Sequence, residues 1–339
     1  MFTSFVYDPM KMFDLRMFDY TPADPNTNVT TDGGMTHEMK IFYEKDLIQM
    51  AEPALIHDQF ATKYPIPKGG GKTIEFRMFQ PLAKALTPLT EGVTPTGKKL
   101  TVDHLTATVA QYGDYVTVSD VLELTAIDPV ITEATKAIAS QAGRTLDTVT
   151  REVVNAGTNV LRAEHRTDRN LVTATDLISF NLLREAVTIL KRQNTPKING
   201  DYVAIVHPDV AHDIMGSEEW IDVNKYSNAT NIFEGEIGKI AGIRFIENTE
   251  AKIFKQAGAN SANVYSTLIL GDGAYATTDV TGGGLEHIVH QKGSAGTADA
   301  LNMRSTIGWK AIKTAEILIQ QYMIRVETSS SMQATAVIN

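Results

Sequence analysis

KGGGKTIEFRMFQPLAKALTPLTEGVTPTGKKL, residues 68–100, poses the question on which the fold turns. Its opening resembles the end of a phosphate-binding loop. Such a loop needs a glycine, four residues and then Gly-Lys-Ser/Thr, so that backbone N–H groups curl round a phosphate and lead into a helix. Counting back from Gly71-Lys72-Thr73, the required first glycine falls on Ile66. Downstream, Ile74, Phe76 and Met78 alternate with Glu75 and Arg77, which is the period of a strand rather than a helix. The glycines therefore read as a flexible turn entering a strand, with a nucleotide hydrolase as an alternative.

Residues 81–100 carry prolines at 81, 88 and 95, together with Leu82, Leu86, Leu89, Val93 and Leu100. About 20 residues without regular structure sit awkwardly inside a compact domain, and a solvated loop has no use for those apolar side chains. The β-branched stretch Thr106–Ser119, with Gly113 in its middle, reads as a second strand. A two-stranded arm reaching away from its own core accounts for both features. An isolated hairpin is marginally stable, so the apolar residues imply burial against a neighbour. A lid folded back on its own domain is the other reading.

The remaining pattern is mixed. The first 35 residues are rich in Phe, Met and Tyr, including Phe13 and Phe18, and then turn to loop chemistry. Met35 to His57 suggests one or two short helices broken near Pro53. Asp128-Pro129 is a good helix start, followed by a stripe through Val130, Ala134, Ala137, Ile138, Leu146, Val149 and Val153, with Gly157 as the stop. That rod, about 40 Å long, suits a strut. A second helix opens at Ser179 and runs through Leu182, Leu183, Ala186, Val187 and Leu190 to a break at Thr195-Pro196. Strands are expected at Tyr202–Val206, Gly242–Ile246 and Val264–Leu270, with a helical turn or two between Pro208 and Met215. Two long strands follow at Ser305–Ala315 and Ile317–Glu327. Strict βαβ alternation is missing, so the fold class is α+β.

The 339 residues include 43% hydrophobic and 21% charged residues, as a globular chain does. A net charge of −9 argues against coating nucleic acid through a general basic surface, while leaving room for a local basic patch. There is no cysteine, hence no disulfide, thiolate nucleophile or cysteine-ligated metal. That composition fits a reducing cytoplasm. No run approaches the roughly 18 apolar residues of a membrane helix. The N-terminus, with Asp8, Asp14 and Asp19 and no basic opening, does not read as a signal peptide.

Chemistry is hard to find. His207 and His212 are five apart, whereas helical zinc pairs sit four apart; His207-Pro208-Asp209 reads better as a capped helix start. His287 and His290 would point to opposite sides of a strand. Ser294 lacks the glycine of a nucleophile elbow. Lys98-Lys99 reads as a solvated turn that could reach a neighbour or DNA. No catalytic, cofactor or metal residue is nominated.

The order of elements and several words of the chain, PKGGGKTIEFRMFQPLAKALTPLTEG, VTVSDVLELTAIDP, YVAIVHPDVAHDI, IGKIAGIRFIENTEA and STIGWKA, resemble the tailed-bacteriophage major capsid proteins of the Hong Kong 97-like fold. Within them they resemble the branch typified by coliphage N-four. The resemblance spans roughly residues 35–327. It implies an N-terminal arm over 1–62 and an extended E-loop hairpin with its base strands over 63–119. A spine helix and peripheral domain follow over 120–200, and a mainly axial domain over 201–284. Long strands return to both domains over 285–339, ending in a C-terminal tail. It implies no enzyme and no cofactor, but self-assembly as hexamers and pentamers into an icosahedral shell around double-stranded DNA held by non-specific contact. A portal, and scaffolding or decoration proteins, would be the partners, with no membrane, in the virion and during assembly in the host cytoplasm. Leu82, Leu86, Leu89, Val93 and Leu100 would then be interface residues of the E-loop, and Phe13 and Phe18 of the N-arm. An encapsulin-like compartment shell shares the fold and is the alternative.

Overall fold

The computed structural model describes residues 27–29, 56–125, 130–218, 220, 236–294, 299 and 301–332. In chain order they form β1 (Thr27–Val29), β2 (Thr62–Lys63), β3 (Thr73–Phe79), β4 (Val102–Thr108), β5 (Ala110–Ser119), α1 (Asp120–Thr125), α2 (Val130–Asn155) and β6 (Val160–Arg162). Next come α3 (Phe180–Arg192), β7 (Tyr202–Val206), α4 (Pro208–Met215), β8 (Glu236–Ile240), β9 (Ile243–Glu247), β10 (Ile253–Phe254) and β11 (Val264–Leu270). The last are β12 (Tyr275–Asp279), β13 (Glu286–His290), β14 (Arg304–Ile317) and β15 (Met323–Thr328).

Local chemistry starts the helices where the sequence marks them. The Ser179 hydroxyl accepts the Leu182 N–H at 3.3 Å and so satisfies one free donor of the first turn of α3. The buried side of α3 is Leu182, Leu183, Ala186, Val187 and Leu190, the expected stripe. At α4, Nδ1 of His207 accepts the Asp209 N–H at 3.2 Å and Pro208 opens the helix, so this histidine is a cap.

One sheet has the order β6-β15-β11-β7-β9-β8, with β10 on the end of β11. All five residues of β7 and all seven of β11 are buried, because this sheet is covered on both sides. Helices α3 and α4 pack on the face that carries Tyr202, Ala204, Val206, Tyr265 and Ile269. The second sheet has the order β1-β5-β14-β12-β2, and β13 also pairs with β14. Its axis is β14, which pairs with β5 from Arg304 to Lys313 on one edge. On the other edge it pairs with β13 and then β12. Gly113 in β5 is required here: a Cβ would stand 2.6 Å from the Trp309 carbonyl oxygen.

Helix α2, 26 residues and about 39 Å long, joins the two sheets. Ile138, Ala139, Ala142 and Leu146 lie on Ile307, Trp309 and Ala311 of the second sheet. At its far end, Val154 enters the core beneath the first sheet with Ile205, Leu268, Tyr275 and Met323.

The first sheet also holds a buried ion cluster. Glu327, fully buried, accepts from Arg162 at 2.8 Å, Arg169 at 2.5 Å and Arg325 at 2.9 Å. Burial opposes ionisation of Glu327, but the Arg169 hydrogen bonds and the surrounding guanidinium charges outweigh it and hold the carboxyl below its ordinary range. Arg325 in turn donates to the Asn155 carbonyl at the C-terminus of α2, where a cation complements the helix dipole.

The structure corrects several expectations. Thr106–Ser119 is two strands, parted at Val109 where pairing passes from β3 to β14. The first terminal strand runs on to Ile317; a 3-10 turn, Gln320–Tyr322, precedes the second, which starts at Met323. Ala137 is exposed and Val149 and Val153 are half-buried, since the buried side of α2 is centred on Thr135, Ile138, Ala142, Leu146 and Thr150. Short helix α1 and strand β12 were not foreseen. The Asp128-Pro129 helix start lies outside the described residues, as do nearly all of the helices expected between Met35 and His57.

Replacing Ile138 by Ala leaves a gap under β14 and should cost about 2–5 kcal/mol of unfolding free energy. Glu327→Gln strands three guanidinium groups and should cost about 3–5 kcal/mol. Urea unfolding of both variants measures these losses; an unchanged midpoint for either would contradict the packing described.

Candidate assembly surface

The stretch 68–100 is a turn, a strand and an exposed tip. Gly69 and Gly71 take φ values of +86° and +89°, left-handed conformations that glycine adopts without strain, and Lys72-Thr73 leads into β3 rather than a helix. Strands β3 and β4 form a two-stranded antiparallel sheet of their own, in register from Thr73↔Thr108 to Phe79↔Val102. The Gln80 N–H donates to the Thr101 carbonyl at 3.1 Å and closes the ladder. Beyond it, residues 81–100 contain no helix or strand and every one is exposed.

The five apolar residues singled out in the sequence all sit on this tip. Leu86 is 81% exposed and Leu89 76%, with Leu82, Val93 and Leu100 each more than half exposed. Met78 and Phe79 extend the apolar surface back along the hairpin. Lys98 donates to the Ala83 carbonyl at 3.2 Å, so it ties the two sides of the tip together. Phe13 and Phe18 lie outside the described residues.

The hairpin meets the body across an open cleft of about 620 Å³, lined by Tyr64, Ile74, Phe76, Leu105, Leu318 and Ile319. The Tyr64 and Phe76 rings meet edge-on at 5.4 Å. The segment leading into the hairpin is fixed more firmly. Tyr64 and Ile66 N–H groups donate to Thr277 and Asp279 along β12, and Ile66 is buried.

A buried polar clasp anchors residues 57–58. The His57 N–H donates to Asp147 Oδ1 at 2.8 Å, and its ring Nδ1 lies 2.7 Å from Oδ2. Asp58 accepts from Thr150 at 2.7 Å and from Lys313. Lys313 also donates to the Leu146 carbonyl at 3.0 Å, and the Tyr275 hydroxyl donates to the His57 carbonyl. Burial opposes the Asp147 charge, yet the His57 hydrogen bonds and the Lys313 charge hold the carboxyl below its ordinary range. Burial pushes Lys313 down and Tyr275 well up. Helix α2 and strand β14 thereby grip the base of the arm with side chains from the second half of each.

These clasp residues were not singled out in the sequence. Their signal is faint: Lys313 is one of two lysines in GWKAIKTA, and Asp147 one acid on the buried side of α2. The histidine pairs do not come together as sites. His287 is buried and His290 exposed on opposite sides of β13, while His207 caps α4 and His212 faces solvent. Among the described residues no group of three or more His, Asp or Glu side chains is placed to hold a metal ion, and no helix is long and apolar enough to cross a membrane.

A profile described as phage capsid protein matches residues 104–318, well over half of the chain. Solved capsids share the fold at low identity. The capsid of cyanophage P-SCSP1u superposes with a TM-score of 0.62 at 14% identity, covering 80% of this chain and 87% of that one. The capsid of Ralstonia phage GP4 gives the same figures. That of Helicobacter pylori bacteriophage KHP30 gives 0.55 at 11% identity, covering 80% and 88%. No curated protein matches the sequence. The fold is the Hong Kong 97-like capsid fold, and the chain belongs to the phage capsid protein family. It is a major capsid protein, a subunit of the head shell.

Two outcomes test the clasp. His57→Ala should speed amide exchange across residues 56–66 while the first sheet stays protected; uniform protection would contradict the anchoring role. Asp147 and Glu327 have folded pKa values below their unfolded ones. The stability they contribute is therefore full above about pH 4–4.5 and is lost as pH falls through the folded values. Thermal unfolding should fall steeply below about pH 4 in the wild type and less steeply in Asp147→Asn.

Proposed function

We propose that this subunit builds its shell by laying the apolar tip of its arm on a neighbouring copy. The observation that carries the reading is the exposure of Leu82, Leu86, Leu89, Val93 and Leu100 at the tip of a hairpin whose strands meet the body across an open cleft. Burying each such side chain is worth about 1.5–3 kcal/mol, and many equivalent contacts act together in a closed shell. Residues 63–119 act as the E-loop and its base strands, and α2 as the spine helix. The peripheral domain lies mainly within 120–200 and the axial domain within 201–284, with 285–339 returning through both. Residues 1–62, with Phe13 and Phe18, serve as an N-terminal arm that also packs on sister copies.

The shell so formed is icosahedral, made of hexamers and pentamers around double-stranded phage DNA, with a portal and scaffolding or decoration proteins as partners. Assembly takes place in the host cytoplasm, and the protein works as a structural element rather than an enzyme. The sequence words quoted above support the branch typified by coliphage N-four. The phage profile favours this reading over a cellular compartment shell.

Deleting residues 82–99 should leave a soluble, folded subunit that forms no shells by light scattering and electron microscopy. Normal particles from that deletion would contradict the role of the arm.

A further inference from the structure

We propose that the basic groove between the C-terminal half of α2 and the segment 250–255, which lie over the side of the first sheet turned away from α3 and α4, is a polyanion-binding surface that lies against the backbone of duplex DNA. The inference rests on the reading of the shell as a DNA container. In β15, Ile324 and Val326 point into the core beneath the two helices, so Arg325 and Glu327 lie on the opposite face, buried where the end of α2 covers it. There the C-terminal half of α2, the segment 250–255 and the turn around residues 162–169 converge. Arg144 and Arg151 hold Glu250, Lys252 holds Glu152, and Arg162, Arg169 and Arg325 share Glu327. In these contacts the cations outnumber the carboxylates two to one, and Lys255 stands exposed beside them.

At the centre is an open groove of about 470 Å³, lined by Arg151, Lys252, Phe254 and Lys255. The Arg169 guanidinium lies 3.4 Å above the Phe254 ring, which holds it flat while Glu327 accepts from its edge. The cations are thus fixed in place rather than free to sweep solvent, and ordering them on a ligand costs little. The setting sharpens the effect. In a chain of net charge −9, a local excess of cations draws a polyanion to this face rather than to the surface as a whole. A duplex, with one negative charge per about 1.7 Å of axis, fits such a row of phosphate-type contacts without any base being read.

The test is the affinity of the dissociated full-length chain for a short, random-sequence, fluorescently labelled duplex across a salt series. The variant is Arg144→Glu/Lys255→Glu, both exposed positions. The control is Lys191→Glu/Arg192→Glu, an equal charge change at exposed positions on α3, across the sheet. The face variant should lose at least about tenfold in affinity, and its slope of log K against log salt should flatten by about 0.9 per lost phosphate contact. The control should keep wild-type binding. Three results would overturn the proposal: no duplex binding by the wild type, an equal loss in variant and control, or displacement of the duplex by polyglutamate as readily as by unlabelled duplex, which would mark a surface for an acidic protein. Shell formation is scored separately by electron microscopy. Duplex binding that depends on this face in a chain that never forms shells upholds the surface and removes the container reading. Normal shells with duplex binding unchanged in the face variant overturn the surface alone.

Discussion

Helix α2 lies on two sheets at once, and the rest of the architecture depends on that constraint. Ala139 and Ala142 let its first half come close to β14, while Val154 and the Arg325 contact to the Asn155 carbonyl fix its end beneath the first sheet. A helix held at both ends cannot slide by one residue without moving Asp147 and Thr150 off the segment they grip. The clasp on His57 and Asp58 thus converts the position of one helix into the position of the arm base.

The molecule divides into a closed part and an open part. The first sheet is covered by α3 and α4 on one face and by the end of α2 on the other, so it has little left to gain from a neighbour on the α3 side. The arm is the reverse. Its ladder has two strands, it touches the body through a cleft rather than a packed core, and its tip gives apolar side chains to water. An isolated hairpin of this kind is marginal, and association supplies what the fold of one chain leaves undone.

Much of this was legible in the sequence where one local rule dominates. The alternation after Lys72 pointed to a strand rather than a phosphate loop, and β3 is that strand. The stripe of α3 came through residue for residue, because a single face of that helix meets a single core. The exposed tip was legible too, since prolines bar the leucines between them from a helix or a central strand that could bury them. Elements whose identity depends on distant partners were not legible. β12 pairs with β14, but its five residues YATTD lack the apolar alternation that marks a strand in the sequence. The break at Val109 marks a change of partner that no local pattern announces. The clasp pairs residues such as His57 and Asp147, 90 positions apart, and spacing carries no trace of such a pair. Likewise, the basic face is assembled from α2, β15 and two loops, so it stays invisible in a chain whose overall charge is negative.

The absence of cysteine makes the central claim directly measurable. A single thiol placed by Leu86→Cys would sit at the most exposed apolar position of the arm. The account predicts fast labelling in the dissociated chain and strong protection in the assembled shell, because a sister copy covers the tip. Equal labelling in both states would contradict it.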